Sequence, residues 1–295
     1  MRTMKVSTQL PLFFSAVILV TTLLGCNGLA TPDPAIPGTQ SPSDISTENA
    51  LTSLAQIQAR GTLIVGTALT EPFVFRDPVT DDLIGFDVDL AKHIAESLGV
   101  TLEVVEMPFA NLIPALQDQN VDMTIAAMYI TVDRKKLVDF SQPYLDTGLV
   151  MVAHPAQQMQ IKTVQDLAGL RVGVKIGATG AKKAQELVMQ GINLEIVEYK
   201  NTIDSFLDLE VGRVDVVFND YLNTLAYIKN TRTEIKIITN QAGDVNLLSQ
   251  AGLGIAVQNN SPELLGLINT SLDGMMRDGT LDTMYQFWLL PAADE

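Results

Sequence analysis

Two stretches of this chain repeat one pattern. Leu116-Gln-Asp-Gln-Asn-Val-Asp122-Met-Thr-Ile and Leu209-Glu-Val-Gly-Arg-Val-Asp215-Val-Val-Phe each read as a helix end, a turn, and a Val-Asp step into an apolar strand. The two aspartates stand 93 positions apart, the length of one small α/β lobe. A pattern this short also arises by chance. A true repeat sets two similar lobes face to face, with the chain after each strand at its carboxyl end, where open α/β sheets bind ligands.

The surrounding chain has the alternation that such lobes need. From Thr62 onward, strand-like runs alternate with amphipathic helices, which marks an α/β fold. A short buried strand is predicted at 63–65. Val88, Ala91, Ile94, Ala95 and Leu98 form a helical stripe, ended by Gly99 in the C-cap place. A strand is predicted at 101–107, a helix at 111–118 and a strand at 121–126. A second series starts near Thr147, with strands at 171–175, 193–197 and 214–218 and helices between them. A strand at 254–257 and two C-terminal helices ending at Trp288 complete the pattern.

Ahead of the alternation lies a different kind of chain. Arg2 and Lys5 precede the run Leu10-Pro-Leu-Phe-Phe-Ser-Ala-Val-Ile-Leu-Val-Thr-Thr-Leu-Leu24, and Gly25-Cys26 comes next. A positive start, an apolar core of about fifteen residues and a small residue before the cut describe an export signal over 1–25. The run is short for a membrane span. Leu23-Leu24-Gly25-Cys26 resembles a bacterial lipobox, in which the thiol is acylated and begins the mature protein. The other reading of Cys26 is a buried, incidental cysteine. As the only cysteine, it excludes an internal disulfide. Residues 26–50, rich in Pro, Ser, Thr and Gly, read as a flexible linker between lipid and domain. The protein is therefore expected outside the cytoplasm, lipid-anchored to a bacterial membrane on its periplasmic or cell-surface side. With 34 acidic residues against 19 basic ones the chain carries −15, and loss of Arg2 and Lys5 makes it more negative still. That sign opposes nucleic acid and anionic lipid as partners. His93 and His154 stand far apart with no Cys or His beside them, so no metal centre or cofactor is expected.

Chemistry concentrates after the two echoed strands. In Ile130-Thr-Val-Asp-Arg134-Lys-Lys, Thr131 suits a helix N-cap and Asp133 the first turn. Arg134 does not, because a cation there opposes the helix dipole. It is either a solvated neighbour of Lys135 and Lys136 or a guanidinium placed for a carboxylate. In Phe218-Asn219-Asp220-Tyr221, Asp220 either caps the next helix or faces the cleft to meet an ammonium group. Arg134 and Asp220, one from each lobe, would then read the two ends of a zwitterion, each charge buried with its partner. Lys175-Ile-Gly-Ala-Thr-Gly180 leads from a strand into a helix whose first N–H groups can hold an anion. It lacks Walker A spacing, which argues against a nucleotide. Thr179 either caps that helix or touches a ligand carboxylate.

Several segments, in order, carry a resemblance. Gly61-Thr-Leu-Ile-Val-Gly-Thr, Glu71-Pro-Phe, Gly85-Phe-Asp-Val-Asp-Leu-Ala-Lys, Ile130-Thr-Val-Asp-Arg-Lys-Lys-Leu-Val-Asp-Phe-Ser and Val214-Asp-Val-Val-Phe-Asn-Asp resemble the polar amino-acid-binding proteins of bacterial ABC importers, extracellular solute-binding family 3. The resemblance runs from about Leu51 to Trp288. It implies a two-lobed periplasmic-binding-protein-like fold of type II, its lobes joined by two hinge strands near 144–148 and 246–252. One lobe is then 51–146 with 250–295, the other 147–249. It implies a binding protein, not an enzyme, that captures an amino acid or similar zwitterion between the lobes and delivers it to a membrane permease. A monomer is expected. By position, Arg134 matches the arginine that clamps the ligand α-carboxylate, Thr179 a threonine that helps it, and Asp220 the acid that binds the α-ammonium. Phe109 matches the apolar wall and Ala127 a residue whose carbonyl accepts from the ammonium. Lys175 and Asn219 match positions near the ligand side chain.

The chain also departs from the family pattern. Tyr129 stands where Ser or Thr is usual, Ala68 where an acid is frequent, and Thr70 near a frequent aromatic. Without that acid and aromatic, the pocket cannot be assigned to a basic side chain. Lys175, Asn219 and Thr70 suggest a polar or acidic one. Tyr129 beside Phe109 either packs or forms a wall for a cyclic or methylated ammonium. Two further readings stay open: a cyclohexadienyl or arogenate dehydratase on the same fold, with Glu71 as its acid, and a ligand sensor for a membrane receptor.

Overall fold

Asp122 and Asp215 do the same work in two different sheets. Asp122 accepts the backbone N–H of Ile64 at 2.7 Å and pairs with Arg60, while its own N–H donates to the Ile64 carbonyl at 2.8 Å. Asp215 accepts the Arg171 N–H at 2.8 Å and the Arg171 guanidinium at 2.8 and 3.0 Å, and its N–H donates to the Arg171 carbonyl at 2.9 Å. Each aspartate fastens the start of one parallel strand to its neighbour, so the echo in sequence is a repeat in structure.

The computed structural model describes residues 53–289 apart from 159 and 241. The leader 1–25, Cys26 and the linker 26–50 lie outside the described residues. The described chain begins with α1 (Ser53–Arg60), β1 (Thr62–Thr67), β2 (Phe75–Arg76), β3 (Leu83–Ile84), α2 (Phe86–Leu98), β4 (Thr101–Glu106), α3 (Leu112–Gln117), β5 (Met123–Thr124) and β6 (Asp139–Phe140). It continues with β7 (Leu145–Ala153), α4 (Pro155–Gln158), β8 (Arg171–Lys175), α5 (Thr179–Met189), β9 (Glu195–Tyr199), α6 (Thr202–Glu210), β10 (Val216–Asp220) and α7 (Tyr221–Thr231). It closes with β11 (Lys236–Ile237), β12 (Leu247–Leu253), β13 (Ala256–Val257), α8 (Pro262–Asp278) and α9 (Thr280–Trp288). Among the described residues no helix is long and apolar enough to cross a membrane.

The first sheet has the order β4-β1-β5-β13-β6, the second β11-β7-β10-β8-β9 with β12 also on β7. In each, a parallel trio (β4, β1, β5 and β9, β8, β10) meets an antiparallel strand, β13 or β7. The predicted α/β class and two-lobed architecture hold. β8 is buried from Val172 to Lys175 and β7 from Gly148 to Ala153, as expected where helices cover both faces of a sheet. α2 buries Phe86, Leu90, Ala91 and Ile94, and it ends where Gly99, at φ 69°, turns its N–H back to the Ala95 and Glu96 carbonyls.

Four expectations need correction. The strand at 254–257 is only β13, with Gly254 and Ile255 outside it. The strand at 121–126 is only β5, because the chain leaves the sheet after Thr124 and turns through Ala127 at φ 47°. The strands at 193–197 and 214–218 are displaced two residues later, to β9 and β10. The helix expected after Thr131 is a three-residue turn, Arg134–Lys136. The Arg134 N–H does lie 3.3 Å from Thr131 Oγ1, but the chain enters β6 before a second turn forms. So short a turn has little dipole, and Arg134 is not opposed by one.

The chain passes between the sheets twice, along β7 and β12. These run antiparallel, Leu145 opposite Leu253 and Gly148 opposite Gln250, with an irregularity between Leu247 and Ser249. A Cβ on Gly148 would stand 2.7 Å from Leu247 Cδ2 and 3.0 Å from the Ser249 carbonyl oxygen, so the leucine would have to shift.

Asp215 is held at about 2, well below the ordinary carboxylate range, first by the Arg171 guanidinium and then, against some burial, by the Arg171 N–H and Gln157. Its folded value lies below its unfolded one, so its stabilisation is present above about pH 4 and is lost as pH falls towards 2. Asp215→Ala is expected to cost about 2 kcal/mol at pH 7 in urea unfolding, with the difference from the unmodified protein shrinking below pH 4.

Candidate ligand-binding site

Both sheets turn the carboxyl ends of their parallel strands towards one gap. The chain after β1 supplies Thr70, the turn after β4 supplies Phe109, and the loop after β5 supplies Ala127, Tyr129 and, further on, Arg134. From the second sheet, Lys175 ends β8, Thr179 begins α5, and Asn219 and Asp220 end β10. Together these line one small cavity of about 50 Å³ that is continuous with solvent. The structure therefore brings all nine positions singled out from sequence to a single cavity.

Arg134 and Asp220 occupy opposite walls. The Arg134 Nη1 donates to the Tyr129 carbonyl at 2.8 Å and Nη2 to the Gly177 carbonyl at 3.2 Å, across the cleft. Burial pushes the guanidinium down to about 10, a sign that it lacks a counter-charge of its own. A guanidinium has five N–H donors, so hydrogens remain for a ligand. Asp220 serves both roles left open by its sequence position. Its Oδ1 accepts the Asn223 N–H at 3.0 Å, capping α7, while Oδ2 accepts from Tyr129 Oη at 2.7 Å and Thr147 Oγ1 at 2.8 Å. Burial raises its carboxyl above the ordinary range, against the pull of those donors. A cation brought beside it would relieve that cost.

Tyr129 thus directs its hydroxyl to the acid on the other wall, and burial raises its phenol above its usual value. Lys175 is buried, with Nζ donating to Thr70 Oγ1 at 2.9 Å and lying 4.7 Å from the Phe109 ring centre. The Arg134 guanidinium lies 5.3 Å from the same centre. Burial brings the lysine down to about 8, with Asp220 opposing and Arg134 adding to the shift. Thr179 is the first residue of α5 rather than its cap; Ala178 holds that place and gives no side-chain bond. Asn219 is tied by Nδ2 to the Asp220 carbonyl at 3.3 Å, to Thr224 Oγ1 at 3.1 Å and to Asn223 Oδ1. Glu71 does not line this cavity. Its carboxylate accepts from Asn230 Nδ2 at 2.7 Å, and its carbonyl from Asn223.

Three residues escaped the sequence reading. Thr147 reaches Asp220 from β7. Asp87 is fully buried, accepts the Ala127 N–H at 2.7 Å, and so fixes the loop that carries Ala127 and Tyr129. Burial raises its carboxyl to about 7, the Ala127 N–H and Tyr144 opposing. A signal was present: Asp87 falls on the buried stripe with Leu90, Ala91 and Ile94, where a carboxylate must find a donor. Gly177 is the third, at φ 74°, where a Cβ would stand 2.9 Å from Ala110 Cβ on the opposite wall. Among the described residues no cluster of His, Cys, Asp and Glu could hold a metal ion.

With the geometry in place, comparison with known proteins is informative. Residues 63–291 match the family model of bacterial extracellular solute-binding proteins, family 3. The L-cystine-binding protein TcyJ of Escherichia coli K12 is 31% identical, over 80% of this chain and 85% of that protein. Among solved structures, an ancestral arginine-binding protein bound to arginine is 40% identical with a TM-score of 0.72, covering 78% of this chain and 99% of that one. The ancestral amino-acid-binding protein AncCDT-1, described as a precursor of cyclohexadienyl dehydratase, is 33% identical with a TM-score of 0.72, over 81% of this chain and all of that one (100%).

Gly177→Ala places a side chain both in left-handed backbone and against Ala110. It is expected to cost about 1 kcal/mol in stability. Small-angle scattering should show a larger radius of gyration as the two walls are wedged apart.

Proposed function

Because this chain belongs to the bacterial extracellular solute-binding proteins of family 3, we propose that it captures an amino acid by both ends in the inter-lobe cavity and delivers it to an ABC permease. One observation carries the reading: Arg134 and Asp220, from opposite walls, line one and the same cavity. The α-carboxylate pairs with the Arg134 guanidinium through parallel charge-assisted bonds, aided by Thr179 and the first N–H groups of α5. The α-ammonium pairs with Asp220, and the Ala127 carbonyl accepts a second hydrogen. Phe109 and Tyr129 close the sides. The lobe of 51–146 with 250–295 and the lobe of 147–249 move against each other along β7 and β12. Ligand favours the closed form because only there are both charges answered. The protein is exported, and its relatives named above are binding proteins rather than enzymes. The dehydratase reading loses its acid, since Glu71 is turned towards α7.

Arg134→Ala should weaken amino-acid binding by about 3 kcal/mol in calorimetry, upwards of a hundredfold, since a buried carboxylate loses its partner. Unchanged affinity would overturn the reading. We further propose that Cys26 is acylated after removal of 1–25, tethering the protein through the 26–50 linker. Cys26→Ser is then expected to move it from the membrane fraction to the soluble one.

A further inference from the structure

We propose that the captured amino acid carries an anionic side chain, its second carboxylate received by Lys175 Nζ, which Thr70 Oγ1 orients; this rests on the amino-acid reading of the cavity. The charge count of the lining carries it. Two cations, Arg134 and Lys175, lie over one ring, Phe109, and Asp220 is the single acid among the lining residues. An amino acid with a neutral side chain brings one positive and one negative charge, which leaves an unanswered buried cation. An arginine side chain adds a third cation to the same space. A dicarboxylic amino acid adds the one missing negative charge, and the pocket with its ligand becomes neutral.

The placement agrees with the count. The Lys175 ammonium has three donors, and Thr70 Oγ1 takes one at 2.9 Å. The Phe109 face offers partial compensation only. Ala68, buried beside Phe109 at the end of β1, presents no side-chain acceptor to the lysine. Asn219 has its Nδ2 tied within its own lobe, which leaves Oδ1 to accept from an amide ligand. Charge therefore separates the acid from its amide. Arg134 is answered by the α-carboxylate and Asp220 by the α-ammonium in either case, but Lys175 is answered by the acid alone.

Calorimetry of the protein with glutamate, aspartate, glutamine, asparagine and arginine at pH 7 tests this. One of the two acids is expected to bind at least tenfold more tightly than its own amide and than arginine. Lys175→Met should lower acid affinity by a hundredfold or more and amide affinity by at least tenfold less than that. Lys175→Gln serves the same comparison if the Met variant does not fold. An amide that binds as tightly as its acid, or a lysine variant that weakens both alike, overturns the acid preference and leaves the amino-acid reading standing. No heat with any of the five overturns the preference, and a silent screen of all common amino acids overturns the reading beneath it.

Discussion

A carboxylate enclosed in protein must be given hydrogen-bond donors, and Asp220 takes them from both sides of a gap. The Asn223 N–H holds one oxygen to the start of α7, and the hydroxyls of Tyr129 and Thr147 hold the other. The first of these is local to its lobe. Tyr129 comes from the facing lobe and Thr147 from the strand between them. The protonation cost of Asp220 is therefore tied to how near the lobes stand. In the structure protein hydroxyls serve the acid, and on the proposed reading a ligand ammonium would complete the set.

Much of this arrangement could be read in the chain, for particular reasons. Arg134 comes after one echoed strand and Asp220 ends the other, and parallel sheets gather the carboxyl ends of their strands on one side. The echo itself turned out to mark construction rather than chemistry. Asp122 and Asp215 are strand clamps, each exchanging bonds with the neighbouring strand in its own sheet. Asp87, Thr147 and Gly177 were not read as part of the site, because their importance comes from what the fold brings opposite them. Thr147 lies 73 residues from its partner Asp220, and Asp87 lies 40 from Ala127. The shortness of β5 has a similar cause. Val121 to Ala126 is apolar enough for a full strand, but the loop it feeds is held by Asp87 and leaves the sheet early.

The same frame serves proteins whose names specify cystine and arginine, so the choice of ligand lies in few side chains. Here Thr70 and Lys175 line the cavity, and Ala68 packs behind Phe109. Ala68 supplies no charge, Thr70 supplies a hydroxyl, and Lys175 supplies a cation that burial alone would weaken. Burial first, and then Arg134 beside the same aromatic face, weakens the hold of Lys175 on its proton. A pocket built this way is kept from neutrality by itself and reaches it with a guest of the right charge.

The pairing of β7 with β12 limits how the molecule can move. Two extended segments paired rung to rung from Leu145 to Gly148, before β10 joins β7 at Leu149, form a narrow ribbon. A ribbon flexes out of its plane far more readily than it shears within it, since shear would break the cross-links while flexing only tilts them. In the proposed closure the halves would therefore be steered along nearly one path, like covers on a spine. A guest entering from the open edge meets walls that return to the same alignment on every swing.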